Sequence, residues 1–123
     1  MADPVPPTSD QAGPVVVTLP AEIDMANARA VRDKLDAACA PGSLIIADMT
    51  ATTFCDSMGI GALVLAHKGA AAHGACLRLL LPCPRVMQVM KILGLDVVLP
   101  IYRSLEEASA GSVVEDTESW GPA

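Results

Sequence analysis

Apolar and polar positions along the chain alternate between two rhythms, one short and β-branched, the other spaced at three and four residues. Val15-Val16-Val17-Thr18-Leu19 is a strand ended by Pro20. Asp24 is placed to cap a following helix whose inner face is Ala28, Val31, Leu35 and Ala38. Arg29, Arg32, Asp33 and Asp36 make its wet face, and Pro41-Gly42 its stop. The aliphatic run 43–49 predicts a central strand, with the polar residues 50–53 as its exit loop and Phe54 the last bulky apolar residue. Ile60, Leu63, Val64 and His67 then recur at helical spacing, and an alanine-rich stretch carries the helix to Ala72.

The second half repeats the alternation. Residues 75–81 form a third apolar strand, and Pro82-Cys83-Pro84 turns into a helix with Val86, Val89, Met90 and Leu93 inward. Gly94 is placed as the residue after that helix, with Leu95 folding back on it. Val97-Val98-Leu99-Pro100 reads as a short last strand that lies at an edge or ends at Pro100, and Ser104 followed by Glu107 as a capping box opening a final short helix. Strands joined through helices need crossover connections, so the expected fold is α/β with a mostly parallel, mixed sheet of four to five strands and about four helices.

Length and charge refine this picture. The chain has 123 residues, 52% of them hydrophobic, which suits one domain over 14–111 between an arm over 1–13 and an acidic tail over 112–123. The net charge of −6 is concentrated at the ends: −2 from Asp3 and Asp10, and −3 from Glu115, Asp116 and Glu118. The folded part is close to neutral and has no basic stripe for a phosphate backbone. With only Phe54, Tyr102 and Trp120 aromatic, it also lacks base-stacking platforms, so nucleic-acid binding is not expected.

The start of the chain is acidic and proline-rich, unlike a signal peptide, and the longest apolar run, 58–66, falls far short of the ~20 residues that span a bilayer. A cytoplasmic protein without a membrane partner is expected. Cys39, Cys55, Cys76 and Cys83 lie 16, 21 and 7 positions apart, matching no CxxC spacing, and His67 and His73 are six apart, off one helix face. No metal or other cofactor is predicted. The cysteines read as reduced, buried thiols, with Cys55 alone close enough to the central motif to be considered as a redox modulator.

That motif is Asp56-Ser57-Met58-Gly59-Ile60-Gly61, where the central strand's loop gives way to a helix. Asp56 sits at an N-cap and Ser57 in the first turn, where uncommitted N–H groups and the helix dipole accommodate a phosphate. On local chemistry alone the pair reads first as a cap. A hydrolase elbow, GxSxG, fails because Cys55 stands at its first glycine, and a dinucleotide fingerprint fails because Val64 stands at its third. An enzyme is not expected.

The motif and its surroundings over about 15–108 resemble the STAS domain of bacterial anti-sigma factor antagonists. Ala21-Glu22-Ile23-Asp24 resembles the family's Gly-Glu-hydrophobic-Asp turn, and the run 44–49 its strand into the phosphorylation loop. Pro84-Arg85-Val86, Leu93-Gly94-Leu95, Ile101-Tyr102 and Ser104-Leu105-Glu106-Glu107-Ala108 resemble its ending. Ala21 replaces a usual glycine, Met58 replaces a common small hydroxyl residue, and no clear first strand precedes Pro14.

The resemblance implies a single STAS-like domain that binds an anti-sigma factor serine/threonine-protein kinase, frees a sigma factor for transcription, and is switched off by phosphorylation on Ser57. A resetting phosphatase is a further partner that it admits. It also implies a partner surface of Asp24, Asp56, Ser57, Met58, Gly59 and Ile60. The alternative is a STAS docking subunit of a lipid-transport complex or signalling scaffold, in which Ser57 is not phosphorylated.

Overall fold

A computed structural model describes residues 13–110. The arm over 1–13, apart from Gly13, and the acidic tail with Trp120 lie outside the described residues. Six strands and four helices follow in the order β1 (Val15–Thr18), β2 (Glu22–Ile23), α1 (Ala28–Ala37), β3 (Leu44–Asp48), β4 (Phe54–Cys55), α2 (Ser57–Ala72), β5 (Cys76–Leu80), α3 (Pro84–Ile92), β6 (Ile101–Tyr102) and α4 (Leu105–Ser109).

The main sheet runs β1-β3-β5-β6, and β2 and β4 form a second, two-stranded ladder. Every ladder among the described residues is parallel. Two-residue β2 and β4 are too short to show a period and were absent from the sequence reading.

Burial explains the strand patterns. One face of the main sheet presents Val17, Ile45, Ala47, Leu77 and Leu79 to Val31 and Leu35 of α1, Leu63 and Ala66 of α2, and Val86 and Met90 of α3. The other face carries Ile46 and Leu80 against Ala108 of α4. Covered on both sides, β5 is buried at all five positions, which is why its sequence is a continuous run and not an alternation.

That run contains Arg78, fully buried. Its Nη1 donates to the carbonyl of Ala108 at 2.7 Å and to that of Ala110 at 2.6 Å, and the guanidinium lies 5.6 Å from the Tyr102 ring centre. A buried cation is tolerated when carbonyls and an aromatic face replace its water, and here it ties the end of α4 to the sheet.

Three expectations are corrected. Residues 97–100 are not a strand: the amides of Val98 and Leu99 both donate to the carbonyl of Leu95 in a short helical turn. Gly94, at φ 74°, starts that turn, so local hydrogen bonding overrides the β-branched pair. The edge strand is instead Ile101–Tyr102, reached through Pro100, whose carbonyl accepts from Leu79 N–H at 2.8 Å. On α3 only Val86 and Met90 are buried, while Val89 and Leu93 face outward because a single sheet covers a narrower arc than four inward residues need. Finally, the N-cap of α1 is Asn27, and Asp24 governs the turn before it.

Candidate functional site

Two loops that leave the same end of the parallel strands are laced together. The Thr53 N–H donates to the Ala21 carbonyl at 2.9 Å, and the buried Thr52 hydroxyl donates to the Pro20 carbonyl at 2.8 Å. After the β2–β4 ladder, the Asp56 N–H donates to the Ile23 carbonyl at 3.0 Å. Asp24 and Asp56 therefore follow adjacent strands.

Each aspartate holds its own turn. Asp56 is extended at φ −86° and ψ −175°, and its Oδ1 accepts from Gly59 N–H at 2.9 Å, the N-cap expected from sequence. Asp24 Oδ1 accepts from Ala26 N–H at 2.9 Å, while Asn27 Oδ1 accepts from Asp24 N–H at 2.9 Å. Asn27 Nδ2 also donates to the Glu22 carbonyl at 2.8 Å. These three side-chain bonds close the turn between β2 and α1.

Gly59 lets α2 approach this platform. A Cβ there would stand 2.7 Å from both Ile23 Cγ2 and the Ile23 carbonyl oxygen, and 2.9 Å from Cys55 Sγ. The helix starts as close to the β2–β4 ladder as a backbone can come.

The six expected surface residues divide. Ser57 and Met58 are exposed and Asp24 and Asp56 half-buried, but Gly59 and Ile60 are buried. Helical geometry turns the third and fourth residues of α2 towards the core even though they adjoin Ser57 in sequence. Met25 and Phe54, which the sequence reading did not assign to the site, are exposed apolar side chains on the same pair of loops. Met25, directly after Asp24, and Phe54, directly before Cys55, lie in segments too short to show a pattern.

Beside Ser57 a groove of about 430 Å³ runs between α1 and α2, walled by Ser57, Met58 and Leu65 on one side and Arg29 and Arg32 on the other. Ala28, Gly61 and Ala62 leave it open because none projects far from its helix. Both arginines were expected on the wet face of α1; Arg29 is exposed, Arg32 is half-buried, and their place on this wall depends on helix packing that local sequence does not encode.

Burial, and then the Asp56 carboxylate, push the Cys55 thiol up to about 12. A thiol held protonated is a poor nucleophile, so the geometry gives no support to Cys55 as a redox modulator. Among the described residues no three His, Cys, Asp or Glu side chains cluster as metal ligands, and no helix is long and apolar enough to cross a membrane.

The family model of the STAS domain matches residues 5–108. The chain belongs to the STAS domain family, and its match begins inside the segment read as an arm. Similar solved structures include an anti-sigma factor antagonist from Mycobacterium paratuberculosis, 26% identical, with a TM-score of 0.66 over 76% of this chain and 80% of that one. The anti-sigma factor antagonist SpoIIAA in its unphosphorylated form is 24% identical, with a TM-score of 0.61 over 86% of this chain and 89% of that one. A sulfate transporter family protein from Wolinella succinogenes shares the fold at 17% identity, with a TM-score of 0.65 over 77% of this chain and 80% of that one. No curated protein matches. The expected single α/β STAS-like domain, with a mostly parallel sheet and four helices, is thus the one observed.

Proposed function

We propose that this protein is an anti-sigma factor antagonist: unphosphorylated, it binds an anti-sigma factor serine kinase in the cytoplasm and frees a sigma factor, and phosphorylation of Ser57 dissolves that complex. The observation that carries the reading is the exposed Ser57 hydroxyl in the first turn of α2, on a platform where Asp56 caps the helix and Asp24 ends the adjacent strand. Such a hydroxyl reaches a kinase active site without local unfolding. The phosphate then sits at a helix N-terminus, which tolerates it.

The switch follows from charge. A phosphate adds about −1.5 to −2 charges and bulk where the free protein presents a small hydroxyl flanked by Met58. Exposed Met58 beside Ser57, with exposed Met25 and Phe54 on the paired β2 and β4 segments, suits a surface that desolvates against a partner, and a dianion on Ser57 opposes that desolvation. The family resemblance and the similarity to a 26% identical anti-sigma factor antagonist support the same assignment.

Incubation with candidate anti-sigma kinases and ATP, followed by mass spectrometry, tests it. Phosphate should appear on Ser57, vanish in Ser57→Ala, and abolish kinase binding. Undiminished phosphorylation of Ser57→Ala would remove the assignment, and a phosphorylated chain that binds its kinase as tightly as before would remove the switch.

A further inference from the structure

The geometry points to Arg29 and Arg32 as an internal clamp for the phosphate: once Ser57 is phosphorylated, the two guanidiniums of α1 bind it across the groove and close the groove with it. This rests on Ser57 being the modified residue, and extends that reading from repulsion of a partner to occlusion of a surface.

The groove brings together what a phosphate needs. Arg29 and Arg32 line the wall opposite Ser57, and arginine binds phosphate oxygens through paired N–H donors. The helices on either side both begin at this end of the fold, α1 at Ala28 and α2 at Ser57, and neither has an acidic residue in its first turn. Two positive dipole ends therefore border the groove, and Arg29, second in α1, stands unfavourably at one of them until an anion arrives.

The present partners of the arginines are weak competitors. Arg29 Nε is 3.6 Å from Asp33 Oδ1, with side chains 89% and 67% exposed, and Arg32 Nε is 3.2 Å from Asp36 Oδ2. Both are i, i+4 pairs with the base N-terminal to the acid, the poorer order for a helix; Arg29–Asp33 is fully screened by solvent, and Arg32–Asp36, with side chains 34% and 42% exposed, only partly. A dianion tethered one residue into α2 outbids a solvated carboxylate. Asp24 and Asp56, on the turns that precede the two helices, oppose the phosphate, but Asp56 Oδ1 is held by Gly59 N–H and Asp24 Oδ1 by Ala26 N–H.

With the phosphate drawn across to α1, Ser57 and the groove between Met58 and Leu65 are covered together. A partner would lose both contacts at one modification.

The test uses full-length protein with phosphoserine installed at position 57 during translation, so that no kinase is needed. Its second ionisation, followed by phosphorus NMR, should fall below the ordinary value of about 6 by roughly half a unit to one unit, and return towards it in Arg29→Gln/Arg32→Gln. Alkaline phosphatase should release phosphate several-fold faster from the double variant. Arg29→Gln alone, at a side chain almost wholly in solvent, gives a smaller shift in the same direction and guards against a folding defect.

Identical ionisation and identical phosphatase rates in parent and variants overturn the clamp, whatever kinase proves responsible. Failure of every anti-sigma kinase to modify Ser57 would instead overturn the proposed function and leave the clamp measurement standing.

Discussion

Replacing Gly59 by alanine should destabilise the domain, although alanine is the better helix former by about 1 kcal/mol. The new methyl would meet the Ile23 carbonyl oxygen at 2.7 Å, the Ile23 side chain at 2.7 Å and Cys55 Sγ at 2.9 Å. Ile23 is fully buried, and its carbonyl accepts from Asp56 N–H, so it cannot retreat without breaking that bond or the β2–β4 ladder. Overpacking costs about 1–3 kcal/mol, and a weakened backbone hydrogen bond adds about 1. After the propensity gain, the net loss is about 1–3 kcal/mol, a fall of roughly 5–15 °C in melting temperature for a domain of this size.

Gly61 is the internal control. It lies two residues further along α2, and a Cβ there meets nothing within 4 Å. Gly61→Ala should therefore gain up to about 1 kcal/mol from propensity alone. Urea and thermal unfolding of the two variants should move in opposite directions from the parent. A Gly59→Ala protein melting at or above the parent would refute the close-approach reasoning, and with it the idea that Gly59 sets the seat of Ser57.

Asp24→Asn keeps an oxygen for Ala26 N–H and removes the charge, so it should melt like the parent while binding the kinase more weakly or being phosphorylated more slowly; parity in all three measurements would confine Asp24 to its turn. Arg78→Lys keeps the charge but not the reach of the guanidinium to the Ala108 and Ala110 carbonyls, and should lose about 1–3 kcal/mol by urea unfolding, with hydrogen exchange rising first in α4. The Cys55 thiol, raised from 9.0 to about 12, keeps in the folded state a proton that the unfolded chain releases. Its contribution is complete below about pH 9 and drains as pH rises towards 12, so the stability gap between parent and Cys55→Ala should shrink as pH rises from about 9 towards 12.

Legibility in the sequence followed the length of each signal. The ten- and sixteen-residue helices α1 and α2 carry full turns of pattern, and β3 and β5 are bounded by polar or turn residues, so all four were readable. Glu22–Ile23 and Phe54–Cys55 are too brief for any period, yet their pairing is what brings Asp24 beside Asp56. Val97 and Val98 signalled a strand by propensity, and a glycine at positive φ three residues earlier outweighed them. Arg78 sat unnoticed in an apolar run because the carbonyls that satisfy it lie 30 and 32 residues away. Asp56 as cap and Ser57 as exposed hydroxyl were legible from local chemistry; the outward Met25 and Phe54, and the arginine wall, needed the packing.

The aspartates of the site read from sequence as caps or as recognition residues, and the geometry leaves room for the second role beside the first. A cap engages one carboxylate oxygen: Asp56 commits Oδ1 to Gly59 N–H, and Asp24 commits Oδ1 to Ala26 N–H. Both side chains remain partly accessible, so the charge is still felt at the surface that Ser57 and Met58 share. Structural and recognition roles then rest on different properties of one group, the first on an acceptor atom and the second on a formal charge. Alanine removes both at once and cannot separate them, whereas asparagine removes only the second. A loss of binding in asparagine variants that keep the parent's stability would therefore belong to the charge, and a loss confined to alanine variants would belong to the turn.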